Sequence, residues 1–211
     1  MIHLIFATNN IHKTEEVRAA LGSAFSLETM QEAGLDIDIP EPHPTLEANA
    51  FEKARTVAAL TGRAAFAEDT GLEVFALNGE PGVKSARYAG EGRSTEANIQ
   101  KLLSRLNDGS RPGSASGSGG APDRSARFRT VMALILDGKE YSFEGICPGT
   151  ITLEPRGDAG FGYDPVFIPD GSDLTFAEMD MAGKNRFSHR KKALDQLITF
   201  LKSIPHGQDQ A

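Results

Sequence analysis

Three acidic residues are candidates for metal-assisted chemistry. Glu68 and Asp69 directly follow a short apolar segment, residues 64–67, that is typical of a buried strand, and the turn at 68–71 would place them where open α/β sheets bind ligands. Glu41 lies in a loop stiffened by proline at positions 40, 42 and 44. Because Mg²⁺ binds one or two carboxylates together with phosphate oxygens and waters, the three residues are candidate Mg²⁺ ligands. Ordinary acidic turn residues are the alternative.

The polar segment 8–13, with the sequence TNNIHK, is a candidate phosphate site. An apolar run at residues 2–8 predicts a buried strand before it, and a helix is predicted from about residue 10 to 21. A helix N-terminus offers free backbone N–H groups and partial positive charge, and Lys13 would add a cation and Thr8 a hydroxyl. Because no Walker-type motif is present, an asparagine N-cap beside a solvated lysine explains the segment equally well.

Two further lysine-bearing segments could contact a phosphorylated ligand. Lys53 lies one helical turn after Asn49, so both could reach the edge of a cleft, although a solvated lysine fits as well. Residues 184–192 are the most basic run of an acidic chain and lead into the last predicted helix. Their cations could converge on an anion or on base carbonyl groups. A polyanion-binding or nuclear-localisation patch is the alternative.

Residues 160–165, GFGYDP, combine glycine, aromatic and acidic residues. Glycine permits close approach of a ligand to the backbone, an aromatic ring can stack on a base, and a carboxylate can accept a hydrogen bond from a ring N–H. This segment is therefore a candidate base site. A tight turn with core aromatic residues is the alternative.

The elements that must position these residues alternate along the chain. Beyond the first strand and helix, Gly, Ser and Thr signals and apolar spacing predict helices at about 45–61, from 94 or 95, and from near 188, and a hairpin of strands 128–136 and 140–146 closed by Asp137 and Gly138. Interleaved helices and strands with at least one hairpin predict an α/β fold with a mixed sheet.

The length and composition of the chain argue against several classes of function. The chain has 211 residues, enough for one large domain or two small lobes. Its formal net charge of -7 argues against binding of a nucleic-acid polymer. Cys147 is the only cysteine, which excludes an intrachain disulfide, and no segment reaches the roughly 20 apolar residues of a membrane span. We therefore expect a cytoplasmic protein without a membrane segment.

One low-complexity stretch interrupts the pattern. Residues 109–126 are rich in Gly, Ser and Pro, which predicts a mobile surface loop, with a domain linker as the alternative. We expect a single folded domain over residues 1–205 and a short tail at 206–211.

Six motifs in order resemble those of the inosine triphosphate pyrophosphatase family, also called the RdgB/HAM1 family. The resemblance covers almost the whole chain, apart from the glycine-serine stretch and the tail. Each motif is weak by itself, but six in the same order are specific. The motifs are residues 7–10 with Lys13, 45–50 with 53–54, 67–72, 81–82 with 85–88, 160–165, and 184–185 with 188–190.

The resemblance implies an elongated, two-lobed α/β domain with a twisted mixed sheet flanked by helices, and a homodimer. It also implies a Mg²⁺-dependent enzyme that hydrolyses ITP, dITP and XTP to the monophosphate and pyrophosphate and so cleanses the nucleotide pool. A Maf-type pyrophosphatase, which would prefer modified pyrimidines, and a nucleotide-binding regulatory module are the alternatives. The former should lack the FGYD and SHR elements, and the latter would need no acidic cluster.

Carried over residue by residue, the resemblance implies the following site. The triphosphate is held by Thr8, Asn9, Asn10, Ile11, His12 and Lys13, with Lys53 and Thr70 as further phosphate-side contacts. Asp69 is the proton acceptor and a metal ligand, and Glu41 and Glu68 are the further candidate metal ligands. The base and sugar are bound by Phe161, Gly162, Tyr163, Asp164, Lys184, His189 and Arg190. Asn9 and Thr70 stand where glycine and serine are usual in the family, and threonine keeps the hydroxyl.

Overall fold

The computed structural model describes residues 2–21, 25–108 and 123–204. Within these ranges seven strands and five α-helices alternate along the chain, with short 3-10 turns between them. Their bounds are β1 (Ile2–Phe6), α1 (Ile11–Leu21), β2 (Phe25–Thr29), α2 (Leu46–Thr61), β3 (Ala65–Val74), β4 (Pro81–Gly82), α3 (Thr95–Asp108), β5 (Ser125–Leu136), β6 (Lys139–Ile151), β7 (Phe167–Pro169), α4 (Met181–Asn185) and α5 (His189–Ser203).

The strands form a mixed sheet, as predicted. Their order is β2-β1-β3-β5-β6-β7, and β4 pairs with β3 outside this path. Strand β1 runs parallel to both β2 and β3, whereas β4 is antiparallel to β3 and β7 is antiparallel to β6. The predicted hairpin is confirmed, because Asp137 and Gly138 connect β5 to β6 with positive φ angles of 51° and 72°.

The chain divides into two compact units. The first contains residues 1–69, 130–145 and 190–211, and the second contains residues 70–129 and 146–189. The boundaries fall within strands β3, β5 and β6 and after the first residue of helix α5, so each of these elements contributes residues to both units.

The first unit has apolar layers on both faces of its strands. Successive side chains of a strand point to opposite faces, so Leu4 and Phe6 of β1 pack with α1 and α5, whereas Ile5 and Ala7 pack with α2. The α2 layer is built from small residues, which allows the helix to lie close to the strands. Its contacts are Ala50, Ala54 and Val57 of the helix with Ala65, Ala67 and Ala133 of the strands.

Helix α2 begins and ends where its sequence predicts. The hydroxyl of Thr45 accepts a hydrogen bond from the backbone N–H of Ala48, and Thr45 itself is extended. At the other end Gly62 adopts the left-handed conformation, with φ of 66°, and its N–H bonds to the carbonyl of Ala58. Asn49 and Lys53 on this helix are buried and therefore held in place by it.

The second unit has one core around a cluster of aromatic rings. Phe128, Phe167 and Phe176 lie with ring centroids 4.7 to 6.0 Å apart. Ile99, Leu102 and Leu106 of helix α3 pack into the same core. Tyr163 and Val166, before and within the 3-10 turn at residues 164–166, belong to this core as well.

Several sequence-based boundaries are wrong, among them the end of the second hairpin strand, which was predicted at residue 146 and lies at Ile151. Residues 68–71 do not form a turn, since strand β3 continues to Val74, with Leu72 and Val74 in the core of the second unit. The predicted loop at 109–126 is too long, because Ser125 and Ala126 belong to β5; its residues 109–122 and the predicted tail at 206–211 lie outside the described residues. None of the described helices is long and apolar enough to cross a membrane.

Candidate active site

The segment 8–13 is ordered by its own side chains. The hydroxyl of Thr8 accepts a hydrogen bond from the N–H of Asn10 at 3.1 Å, and the Asn10 side chain accepts one from the N–H of Lys13 at 3.2 Å. Asn10 therefore caps helix α1, as the simpler interpretation of the sequence predicts. Asn9 to His12 are exposed, and Asn9 donates to the carbonyl of Ile37 at 3.0 Å. The start of helix α1 is therefore ordered and exposed. Because a helix N-terminus presents backbone N–H groups, this surface suits an anion.

A buried ion cluster lies behind this segment in the first unit. Arg190 donates to both oxygens of Glu68, at 2.7 and 3.0 Å, and a third bond joins its guanidinium to Glu16. The Lys13 ammonium lies 3.1 Å from Glu68. Glu68 and Arg190 are 1% and 3% exposed, so the pair is shielded from solvent screening. The cluster ties α1 to β3 and to α5.

The protonation of Glu68 follows from these partners. Burial by itself would raise the pKa of Glu68, but the charges of Arg190 and Lys13 and their hydrogen bonds outweigh it and hold that pKa well below its usual range. The carboxylate is therefore ionised and occupied by two cations. This arrangement favours a role for Glu68 in holding Lys13 over its predicted role as a metal ligand.

Asp69 differs from its neighbour in both contacts and titration. It is 7% exposed, and its Oδ2 accepts a hydrogen bond from the side chain of Asn49 at 3.2 Å. Burial raises the pKa of Asp69; the charges of Lys53 and Lys13 oppose the rise and the charge of Glu41 adds to it. A buried carboxylate with a raised pKa near cations is typical of a catalytic base.

Glu41 and Lys53 form an ion pair beside Asp69. The Lys53 ammonium lies 2.5 Å from Oε1 of Glu41, and Lys53 is 8% exposed. The described residues contain no group of three or more metal-ligating side chains. Mg²⁺ needs only one or two carboxylates when phosphate oxygens and waters complete its shell, so Asp69 with Glu41 nearby is a sufficient donor set.

The second unit holds the predicted base-side residues around the carboxylate of Asp164. Oδ2 of Asp164 accepts hydrogen bonds from the Lys184 ammonium at 2.8 Å and from the backbone N–H of Phe161 at 2.9 Å. Lys184 also lies 5.1 Å from the ring centroid of Phe161. Asp164 and Lys184 are buried, whereas Phe161 and Gly162 are partly exposed. The turn therefore offers an accessible ring beside a paired carboxylate and cation.

The remaining predicted residues have other surroundings. Tyr163 is 4% exposed and its hydroxyl donates to the carbonyl of Ser85 at 3.0 Å. The His189 ring stacks on Phe128, with centroids 4.8 Å apart. Thr70 is partly buried in β3. Arg190 was predicted beside Lys184 and His189, but the structure pairs it with the acids of the first unit.

Asn49 was predicted as a possible contact at the edge of a cleft but not as a partner of Asp69, and Glu16 was not predicted as a site residue. Asn49 bonds to Asp69 and also to both backbone groups of His43, so it positions the Glu41 loop as well as the carboxylate. In the sequence, Asn49 was indicated only by its position four residues before Lys53. Glu16 meets Arg190 across 174 positions of sequence, and no local pattern indicates that contact.

Comparisons with known proteins agree with the motif order. Residues 4–200 match the model of the Ham1 family. The chain is 49% identical to the dITP/XTP pyrophosphatase of Porphyromonas gingivalis, over 95% of this chain and 98% of that protein, and 44% identical to the one of Flavobacterium johnsoniae, over 94% and 97%. A solved HAM1 protein from Coxiella burnetii superposes with a TM-score of 0.84 at 37% identity, covering 97% of this chain and all of that one. The chain therefore belongs to the Ham1 family.

Proposed function

We propose that the protein hydrolyses non-standard purine nucleoside triphosphates, dITP, ITP and XTP, to the monophosphate and pyrophosphate. Relatives at 49% and 44% identity are named dITP/XTP pyrophosphatases. The observation that carries the proposal is the arrangement around Asp69, a buried carboxylate that is bonded to Asn49 and lies near the ion pair of Glu41 and Lys53. This pattern suits proton transfer beside a polyanionic substrate.

In the proposed reaction Asp69 accepts a proton from the attacking water, and the Asn49 side chain orients the carboxylate. Asp69 and Glu41 would hold Mg²⁺, which when bound neutralises phosphate charge and lowers the pKa of a bound water. Lys13 and Lys53 stabilise the negative charge on the phosphate oxygens and on the departing pyrophosphate. The chemistry of phosphoryl transfer requires mainly such positioning and charge neutralisation.

At the base end, the Phe161 ring stacks on the purine. Asp164 accepts a hydrogen bond from the ring N–H, and Lys184 donates to the carbonyl oxygen at purine position 6. Asp164 and Lys184 are already paired at 2.8 Å, so the two groups are pre-positioned for a base that presents a donor and an acceptor side by side. A homodimer and a cytoplasmic location complete the proposal.

The proposal predicts selectivity. We expect kcat/KM for ITP and XTP to exceed that for ATP and GTP by at least about 100-fold, because a mismatch between buried hydrogen-bonding groups, such as two donors facing each other at Lys184, is costly. Adenine carries an amino group where the oxygen is needed. Guanine shares the oxygen and the ring N–H, so the proposal requires that its 2-amino group is excluded sterically beside the turn 161–164. Steady-state release of pyrophosphate at equal Mg²⁺ measures all four substrates.

Equal kcat/KM values for ITP and GTP would contradict the proposed recognition of the purine base. Preference for a modified pyrimidine triphosphate would instead favour a Maf-type activity. Nucleotide binding without pyrophosphate release would favour a regulatory module.

Substitution of Gly160 tests the base end. A Cβ at Gly160 would collide with the Asp164 carboxylate, and the residue has a positive φ of 77°. We expect Gly160→Ala to displace Asp164 from Lys184 and to raise KM for dITP by about tenfold, the effect of losing roughly 1.4 kcal/mol of binding. Gly79→Ala is the matched control, because Gly79 has a similar φ of 85° but open space around its Cβ. Equal KM values for the two variants would argue against a role of Asp164 in binding.

A further inference from the structure

The segment 85–89 contains residues 85–88 of a motif that resembles the family, but the reaction proposed above uses none of its residues. Within it, Ser85 is 8% exposed. Its hydroxyl accepts a hydrogen bond from the N–H of Leu72 at 2.9 Å and donates one to the carbonyl of Gly82 at 2.6 Å. Its own carbonyl accepts a hydrogen bond from the Tyr163 hydroxyl at 3.0 Å. One serine therefore joins three separate parts of the second unit.

The first of these parts is the end of β3 that follows Asp69 and Thr70. Leu72 lies opposite Gly82 in the antiparallel pair of β3 and β4. Gly71 has no room for a side chain, since a Cβ there would lie 2.7 Å from the carbonyl oxygen of Gly82. The backbone directly after Thr70 is thus held by this close contact and by the hydroxyl of Ser85, which bonds to the same carbonyl of Gly82.

The second part is the turn that carries Phe161 and Asp164. Burial raises the pKa of Tyr163 well above its usual range, and the charge of Tyr88 adds to the rise, so the hydroxyl keeps its proton and remains a donor. The N–H of Val166 bonds to the carbonyl of Tyr163 at 3.0 Å, which ties the ring to the rest of the turn. Through Tyr163, the position of this turn depends on the backbone of Ser85.

The segment is itself held by helix α3. The Asn98 side chain accepts a hydrogen bond from the N–H of Ala89 at 2.6 Å and donates one to the carbonyl of Ala86 at 3.0 Å. The Lys101 ammonium donates to the carbonyl of Tyr88 at 2.5 Å. Three backbone groups after Ser85 are therefore bonded to side chains of one helix, so the segment is a rigid support rather than a mobile loop.

We propose that Ser85 is a positioning residue for the reaction. Its hydroxyl sets the place of Thr70 within strand β3, which also carries Asp69, and its carbonyl sets the place of the turn 161–164. The proposal rests on the proposed function for the roles of Thr70 and the turn. According to this proposal, the segment 85–89 aligns both Thr70, which contacts the phosphates, and the turn 161–164, which contacts the base.

Steady-state kinetics with dITP separate the two contributions. We expect Ser85→Ala to lower kcat by about tenfold or more, because a small misplacement of a group at the reacting phosphates can cost up to roughly 10²-fold. KM should change less, within about threefold, since binding of the base is retained. Tyr163→Phe should show the opposite pattern, a raised KM with kcat nearly retained. Ser85→Cys, which keeps the shape but bonds weakly, should lower kcat as Ser85→Ala does.

Tyr88→Phe is the matched control. It removes a buried hydroxyl from the same segment, but that hydroxyl bonds to Glu80 at 2.9 Å and not to β3 or the turn. We expect its kcat and KM to equal those of the wild type. Ser85→Ala and Ser85→Cys with wild-type kcat, or an equal loss in Tyr88→Phe, would overturn the proposal.

Hydrogen exchange gives a readout that does not depend on activity. Amide exchange at residues 70–72 should be faster in Ser85→Ala than in Tyr88→Phe, and exchange at 161–166 should be faster in Tyr163→Phe. Unchanged exchange at both places would overturn the positioning role even if wild-type protein cleaves dITP. Wild-type protein without pyrophosphate release but with these exchange changes would instead contradict the proposed function alone.

Discussion

Replacement of Asp69 by asparagine is expected to abolish turnover of dITP while the nucleotide still binds. The amide cannot accept the proton of the attacking water, and a general base contributes about 10²- to 10⁴-fold to rate, to which the loss of a metal ligand adds. Asparagine has nearly the same volume, and the Asn49 side chain can still bond to its oxygen. We therefore expect kcat to fall by at least about 10³-fold, with affinity for dITP within about tenfold of wild type.

The measurement combines single-turnover pyrophosphate release with titration of dITP binding. Asp36→Asn is the matched control, because Asp36 is an exposed aspartate of the same unit outside both clusters. Its kcat should equal that of the wild type. A kcat of Asp69→Asn within a few-fold of wild type would remove Asp69 from the mechanism.

The sequence was sufficient to predict the helices and strands that end in recognisable caps and turns. Thr45 and Gly62 mark the limits of α2, Ser94 accepts from the N–H of Ala97 at the start of α3, and Asp137 with Gly138 closes the hairpin. Each signal acts over three or four residues, and each was confirmed. The strand β2, in contrast, was not predicted, because its alternating sequence FSLET is only five residues long.

The features that the sequence did not predict depend on ion pairs between residues that are far apart in the chain. Charged residues at positions 68 and 69 indicate a turn when only neighbours are considered. In the fold, Glu68 finds Arg190 at a separation of 122 positions, so a carboxylate can lie inside a strand. The same pairing moves Arg190 from a predicted base contact to an ion cluster. Residue types identified which groups form the candidate site, whereas their partners depended on packing.

Glu68→Gln should destabilise the folded protein strongly. The substitution removes the carboxylate that pairs with Arg190 and Lys13, and it leaves Glu16 to compensate the charge of the buried guanidinium. Removal of one partner of a buried ion pair typically costs about 3–5 kcal/mol, because the remaining charge stays desolvated. We expect a loss of this order in the free energy of unfolding at pH 7, measured by chemical denaturation. Glu28→Gln is the control, since Glu28 forms a similar two-bond pair with Arg63 at the surface, where screening makes the loss clearly smaller.

The contribution of Glu68 to the free energy of unfolding should decrease as the pH falls. The pKa of Glu68 is lower in the folded protein than its usual value of 4.5, so its contribution to stability is present above that value and is lost as the pH falls towards the folded pKa. Glutamine does not titrate. The difference in unfolding free energy between wild type and Glu68→Gln should therefore be constant from pH 7 to about 5.5 and should shrink below about pH 4.5. A difference that stays constant into acid, or that is no larger than that of Glu28→Gln at pH 7, would show that the buried pair does not stabilise the fold in this way.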